Sequence, residues 1–434
     1  MENLPPKIAG EIKIPPNILK EIKDKIKNIS ILKEKIEEFL AKSASEISEI
    51  ILGGGIVLEA SDIHIEPQKD TAKIRIRIDG ILHDLLEFDL KTYKSLLSRI
   101  KLLAGLKLNV FDRPQDGRFS ILISQNEAIE IRVSSLPAEY GESLVLRILN
   151  PKNLIGIEEL GIRQDLLTVF IKEINKPNGM IIITGPTGCG KTTTLYAILK
   201  KIEKPEVKII TIEDPIEYHL EGISQTQVEP RKGYDFANGL RAIVRQDPDV
   251  ILVGEIRDLE TATISLQAAL TGHLVLTTLH TNDAAGTVAR LQALGEKPVN
   301  IAPAINITIA QRLVRKVCKK CSRLVPVYPE EFEKMKKTLK DVPKEIIKFS
   351  PSSKIPHPKG CKDCNFTGYK GRIGLFEAFL VDKEMEKSIL TSPSISALRE
   401  KAISRGMITI YQDGIIKVLE GITTIEEVER VVGE

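Results

Sequence analysis

Residues 185–192 read Gly-Pro-Thr-Gly-Cys-Gly-Lys-Thr, directly after the apolar run Met180–Thr184 and directly before a helical pattern, KTTTLYAILKKI. Strand, glycine-rich loop, then Lys-Thr opening a helix is the arrangement that cradles a nucleotide's phosphates. Gly185, Gly188 and Gly190 let backbone N–H groups turn toward an anion, with Pro186, Thr187 and Cys189 between them. The helix N-terminus adds partial positive charge. Lys191 is expected to reach the β- and γ-phosphates, and Thr192, followed by Thr193, to ligate Mg²⁺ through its hydroxyl. The expected ligands are therefore ATP and Mg²⁺. Cys189 reads as a small loop residue rather than a redox switch, although a helix N-terminus lowers a thiol's pKa.

Phosphoryl transfer to water also needs a positioned base and support for the metal. Two segments supply carboxylates just past buried strands. ITIEDPIEY (210–218) carries Glu213, Asp214 and Glu217, and DPDVILVGEIRD (247–258) carries Glu255. Ligands bind beyond the carboxyl ends of strands in open α/β sheets, which is where these acids fall. A capping role suits Asp258, and a catalytic one suits Glu217 and Glu255. HLVLTTLHT (273–281) ends in His280, a candidate γ-phosphate sensor, and begins with His273. Arg241 and Arg245 lie four apart in GLRAIVRQDPD, either as a solvated helix face or to stabilise phosphate charge in a neighbouring subunit.

A second chemistry is separate. CKKC (318–321) and CKDC (361–364) offer Cys318, Cys321, Cys361 and Cys364, four thiolates at metal-ligand spacing. A closed, structural Zn²⁺ site is expected, with His357 a spare neighbour. Free thiols and a redox pair are the alternatives, and the latter lacks a thioredoxin context.

These groups need elements to hold them. With 434 residues the chain exceeds one core, so two or three domains are expected. Lys+Arg 62 against Asp+Glu 59 leaves a net +3, which gives no nucleic-acid footprint. Aromatics at 4 %, with no Trp, argue against stacking platforms for single strands. No apolar run approaches the roughly 18 residues of a membrane span, and no signal peptide is read at the start, so a cytoplasmic chain is expected.

Residues 1–42 read as an extended tail followed by an amphipathic helix from Ile18 to Leu40, which packs on the next domain or docks a partner. Residues 43–152 read as an α+β, PAS-like domain, with strands at 72–80, 130–135 and 143–149 and a helix at 92–103. A Gly- and Pro-containing linker follows at 153–178. From 179 to 316, the apolar runs Met180–Thr184, Lys208–Ile212, Val250–Val253 and Leu274–Thr278 alternate with helices, as in a RecA-like parallel α/β core. A tetracysteine zinc subdomain (317–372) and a helical region (373–434) complete the chain.

The motifs together resemble the secretion ATPase superfamily, in its type II secretion and type IV pilus assembly branch. The resemblance covers about residues 43–434. It rests on SDIHIEP (61–67), RIRIDG (75–80), PQDGRF (114–119), the phosphate loop, TIEDPIEY, LRAIVRQDPDVILVGEIRD, TGHLVLTTLHTN, the four cysteines and GYKGRIGLFE (368–377). It implies that Glu217 polarises the attacking water and that Glu255 supports Mg²⁺. It implies hexamers in which Arg118, Arg132 and Arg147 meet nucleotide. It also implies a motor that acts on an inner-membrane platform protein with a cytoplasmic adaptor, reaching the membrane only through partners. Gly254 stands where many phosphate-loop ATPases carry an aspartate, a feature this family shares. The region before residue 43 is shorter than in typical assembly ATPases. The alternatives are a pilus retraction motor, against which the four-cysteine insertion argues, a hexameric helicase, disfavoured by the flat charge balance, and a nucleotide-binding scaffold without turnover.

Overall fold

The computed structural model describes residues 10–14, 20, 22, 24–124, 127–347 and 349–433. It forms two compact units. One comprises residues up to 153 with 318–321 and 359–370; the other comprises 154–317, 322–358 and 371–434.

In the first unit the elements are β1 (Gly10–Lys13), α1 (Ile29–Phe39), α2 (Ala44–Val57), β2 (Asp62–Pro67), β3 (Thr71–Ile78), β4 (Ile81–Asp89), α3 (Leu90–Leu103), β5 (Gln115–Ser124), β6 (Glu127–Ala138) and β7 (Gly141–Leu149). They build one seven-stranded sheet in the order β1-β5-β6-β7-β2-β3-β4. Alternation places Ile63, Ile65, Ile74, Ile76, Phe119, Ile131, Val133, Leu144 and Leu146 on one buried face, packed with α1, α2 and α3. β3 turns into β4 through Asp79-Gly80, both with positive φ, the pair a tight two-residue hairpin demands.

Two expectations for this region are corrected. Residues 10–13 are not a free tail: they pair in parallel with β5, with Ile12 opposite Ile121. The helix expected from Ile18 is continuous only from Ile29, because Asn28 is extended and its side chain caps the Ile31 amide. Residues 15–19, 21 and 23 lie outside the described residues. Ile22 and Ile26 are nonetheless buried beside Ile36, as the periodicity requires.

The second unit continues with α4 (Gln164–Ile174), β8 (Gly179–Thr184), α5 (Lys191–Ile202), β9 (Ile209–Glu213), β10 (Ser224–Gln227), α6 (Phe236–Val244), β11 (Val250–Val253), α7 (Leu259–Leu270), β12 (Leu274–Leu279), α8 (Gly286–Ala293), α9 (Pro298–Ala304) and β13 (Ile305–Val317). Then come β14 (Ser322–Pro326), α10 (Pro329–Thr338), β15 (Lys354–Pro358), β16 (Tyr369–Leu380), α11 (Lys383–Leu390), α12 (Ile395–Ser404), α13 (Ile410–Leu419) and α14 (Ile425–Val432). The main sheet runs β10-β9-β11-β12-β8-β13-β16. Neighbours from β10 to β13 pair in parallel. β8, β9, β11 and β12 are buried at every residue, the mark of strands covered on both faces.

Three further boundaries move. The segment expected as a linker is largely core: α4 buries Leu167, Phe170 and Ile174 against β8 and α5 residues, and Arg163 ion-pairs with the buried Asp413 at 2.7 Å. Residues 317–372 are not one subdomain. The two cysteine turns group with the first unit, while β14, β15 and α10 pack on α13 and α14. The region after 373 opens with strand rather than helix, because Leu375 and Phe376 are fully buried along β16. No helix among the described residues is long and apolar enough to cross a membrane.

Candidate active site

Strand register gathers the reactive groups at one edge of the sheet. Val253 pairs with Ile212 on one side and Thr277 on the other, and Thr277 pairs with Ile182. One step beyond that rung lie Glu213, Gly254, Thr278 and Ile183. Two steps beyond lie Asp214, Glu255, Leu279 and Thr184. The phosphate loop and His280 leave the next rung, all at the carboxyl ends of the strands, as expected of an open α/β sheet.

The phosphate loop is built for close backbone approach. Gly185, at φ +149°, could not carry a Cβ: it would sit 2.6 Å from both the Cys189 Sγ and the Gln311 carbonyl. Gly190, at φ +91°, takes a left-handed turn into α5. Pro186, Thr187, Gly188 and Thr192 are exposed. Lys191 Nζ folds back to donate to the Gly185 and Pro186 carbonyls at 2.7 and 3.2 Å. Burial pushes its pKa down, while Cys189 and Glu255 act against that shift, so Glu255 is within electrostatic reach of the lysine. Burial raises the Cys189 thiol despite Lys191 and Arg312 nearby, which makes it a packing residue, not a reactive one.

Glu255 ion-pairs with Arg257, and its other oxygen lies 3.3 Å from His280 Nε2. Arg257 also reaches toward Asp214, at 3.6 Å. The Thr278 hydroxyl donates to the Gly254 carbonyl at 2.7 Å, fixing the backbone just before Glu255. A side chain at Gly254 would press on the Ile212 carbonyl and the Glu213 backbone, 3.3–3.4 Å away. Asp258 caps α7 through the Thr261 amide, the role the sequence suggested.

Glu213, expected at the nucleotide, ends β9 with its carboxyl turned into the protein. It is 4 % exposed, and its oxygens accept from the Tyr196 and Thr211 hydroxyls and from Gln225 Nε2. Three protein donors hold its carboxyl. Burial pushes its pKa up. Glu217 follows on a half-buried loop, its amide donating to Tyr196 Oη at 3.3 Å. Arg241 pairs with Glu260 and Asn238 on an exposed face, and Arg245 ends the same helix, also exposed. His273 holds the Ala268 carbonyl at 3.0 Å and belongs to the opposite end of β12.

Four residues beside the loop escaped the sequence reading. Gln311, 1 % exposed, accepts from Thr194 at 2.7 Å. Arg312 donates to the Gln311 and Asn282 carbonyls, at 3.0 and 2.8 Å. Thr184 and Thr281 share a hydrogen bond of 2.7 Å, tying the base of the loop to the strand end after His280. The polar pair Gln311-Arg312, set between INITIA (305–310) and Leu313-Val314, was the available signal for the first two.

In the first unit, the three arginines stand in one row. Arg118 faces Arg132, Arg132 faces Arg147, Arg147 faces Asp62, and Asp62 faces Arg77. All five share the polar face of the sheet. Arg118 and Arg132 lie 3.6 and 3.4 Å from Glu130, and Arg147 lies 3.2 Å from Asp62. Arg77 was not singled out from the sequence.

The cysteine turns also come together. The four sulfurs lie within 4.8 Å of one another, with Cys318–Cys361 and Cys321–Cys364 at 3.9 Å and Cys361–Cys364 at 3.7 Å. Tetrahedral Zn–S bonds of about 2.3 Å give sulfur separations of about 3.8 Å, so the donor set fits zinc. The Cys361 and Gly368 amides point at Cys364 Sγ and, against the effect of burial, hold its pKa below the usual thiol value. His357 is not in the group; it pairs with Arg323 in the β14–β15 ladder.

The family model for "Type II/IV secretion system protein" matches residues 34–430. The chain belongs to that family. It is 46 % identical over 377 residues to the type II secretion system protein E of Pectobacterium carotovorum, covering 87 % of this chain and 73 % of that protein. It is 41 % identical over 385 residues to the type IV pilus assembly ATPase PilB of Acinetobacter baylyi, covering 88 % of this chain and 65 % of that one. Among solved structures it resembles the pilus retraction motor PilT with bound ADP, at TM-score 0.58 and 26 % identity, covering 88 % and 95 % of the two chains. The Legionella pneumophila ATPase DotB, at TM-score 0.62 and 23 % identity over 90 % and 95 %, shares the fold. The expected RecA-like class, and an ATPase of the secretion and pilus-assembly kind, are borne out at the level of the Type II/IV secretion family.

Proposed function

We propose that the chain is a magnesium-dependent motor that hydrolyses ATP to drive assembly of a type IV pilus or a type II secretion pseudopilus. The observation that carries this reading is the register of β8, β9, β11 and β12, which delivers the phosphate loop, Glu255 and His280, and the loop bearing Glu217, to one sheet edge in a chain of the secretion family. Residues 185–193 hold the triphosphate. Thr192 and Glu255 would hold Mg²⁺, which supplies charge neutralisation at the β- and γ-oxygens. Glu217 accepts the proton of the attacking water, and His280 reports the γ-phosphate to Glu255. Arg118, Arg132, Arg147, Arg241 and Arg245 stabilise phosphate charge in a hexamer of this chain. One Zn²⁺ on the four cysteines is structural. The motor acts at the cytoplasmic face of the inner membrane on a platform protein with a cytoplasmic adaptor, and meets no nucleic acid.

The test is deletion of the gene and complementation with wild type or Glu255→Gln, with surface filaments imaged and exported proteins assayed. Filaments restored by wild type alone identify pilus assembly, and exported proteins trapped in the deletion strain identify secretion. Likeness to PilT favours one second reading, retraction, in which deletion leaves excess filaments. Purified protein that fails to release phosphate from ATP would leave only the scaffold reading.

A further inference from the structure

The loop carrying Glu217 is held by more than its own backbone. Gln227 Oε1 accepts from the Ile216 amide at 3.4 Å, Gln225 Nε2 donates to the Tyr218 carbonyl at 3.0 Å, and Gln225 Oε1 accepts from the Leu220 amide at 2.7 Å. Those ties come from β10. The tie at Glu217 itself comes from elsewhere. Its amide donates to Tyr196 Oη at 3.3 Å, and Tyr196 sits on α5, the helix that begins at Lys191.

Tyr196 is 1 % exposed and packs edge-on against Tyr218, with ring centroids 6.2 Å apart at 72°. Its hydroxyl has one proton and must accept as well as donate to satisfy both neighbours. The donor side goes to Glu213 Oε2, and the acceptor side takes the Glu217 amide. Glu213 is fixed in turn, because its other oxygen accepts from Thr211 at 2.6 Å and from Gln225 at 3.2 Å. Burial and the Glu213 charge both push the phenol's pKa up, which favours the protonated, donating form. Tyr196 lies five residues beyond Lys191, about 7.5 Å along a rigid helix. A shift of the phosphate loop therefore carries the phenol with it.

We infer that Tyr196, oriented by Glu213, is a positioning residue for hydrolysis: it couples the phosphate-loop helix to the backbone of Glu217 and sets where that carboxylate meets water. The inference rests on the reading of Glu217 as the base given above. It adds a reason for the buried hydroxyl of Tyr196 and the buried carboxyl of Glu213 at the foot of the Glu217 loop. It also turns Glu213 from a nucleotide contact into the anchor of this link.

Tyr196→Phe removes only the hydroxyl and keeps the ring against Tyr218. The expected result is a kcat lowered by roughly 10–100-fold, the cost of a base misplaced by about an ångström. KM for ATP, ATP affinity and melting temperature stay at wild-type values. In the same variant the Glu217 amide exchanges faster with solvent while the amides of α5 remain protected. Glu217→Gln combined with Tyr196→Phe is no slower than Glu217→Gln alone, since both act on one group. Glu213→Gln, which keeps the shape of the anchor, lowers kcat in the same direction at unchanged KM, and serves if the phenylalanine variant does not fold. Wild-type kcat in both Tyr196→Phe and Glu213→Gln, or losses that multiply in the double variant, overturns the coupling while the base assignment stands. Wild-type turnover by Glu217→Gln itself overturns the base assignment and the coupling with it.

Discussion

The amide of Ile29, the first residue of α1, donates to Oδ1 of Asn365 at 2.7 Å across 336 positions of sequence. Asn28 satisfies the Ile31 amide of the same helix end. A helix leaves its first amides without intrahelical partners, so this end is completed by a residue of the second cysteine turn. Asn365 reaches it from a left-handed conformation directly after Cys364.

Zinc loading is therefore expected to be felt at α1. Elemental analysis should find about one zinc per chain, the stoichiometry of a four-thiolate site. Removal by a chelator should speed amide exchange in both cysteine turns and at Ile29, while β8, β9, β11 and β12 stay protected. Asn365→Ala should reproduce the change at Ile29 with zinc still bound. Unchanged exchange at Ile29 after metal removal would separate the helix from the cysteine turns.

At the phosphate loop, Lys191→Ala should lose nucleotide binding or turnover. Glu217→Gln should keep binding and slow hydrolysis by roughly 10²–10⁴-fold, the usual worth of a positioned base. Isothermal titration together with phosphate release distinguishes the two defects.

Asp413 is wholly buried between Arg163, at 2.7 Å, and Lys417, at 2.8 Å, and accepts the Phe376 amide. Asp413→Ala takes the buried carboxylate from Lys417 and leaves Arg163 only Asp165, and is expected to destabilise the second unit by about 3–5 kcal/mol. Chemical denaturation followed by a probe in β16 measures it. A shift below about 0.5 kcal/mol, the range of surface substitutions, would mean that water reaches the cations.

Acid sensitivity has a specific origin. Burial acts to raise the Glu427 pKa, but hydrogen bonds from Arg430 and Arg315 overcome it and hold it at about 2. An acid depressed on folding contributes stability that is complete above its unfolded pKa and is lost as pH falls through the folded one. Glu427 should therefore contribute fully at neutral pH and lose its contribution between about pH 4.5 and 2. Glu427→Gln should start with a lower melting temperature at pH 7 and fall less steeply over that acid window.

Much of the sheet edge that carries the candidate site was legible because short, wholly apolar runs admit one reading once they alternate with helices. Val250–Val253 is strand at the bounds its sequence suggested, and the acids after the strands followed from it. What stayed hidden depends on contacts distant in sequence. Glu213 reads like its neighbours Asp214 and Glu217, and only packing against Tyr196, Thr211 and Gln225 sets it apart. Arg163 lies in a stretch whose Gly and Pro suggested a linker, and its buried partner Asp413 is 250 positions away. The cysteine turns flank a segment that folds with other neighbours, a division that spacing does not encode.

The shared rung of Arg118, Arg132, Arg147 and Arg77 has a consequence for how this chain can change length. Side chains on a strand alternate faces with period two. Loss of a single residue early in β6 would turn Arg132 into the interior and bring Ile131 and Val133, now fully buried, to the surface. Paired deletions preserve the faces but move the guanidinium to a different rung. Insertions and deletions should thus be tolerated at the Glu139–Tyr140 hairpin and rejected inside β5, β6 and β7, even where single exchanges at outward positions are harmless.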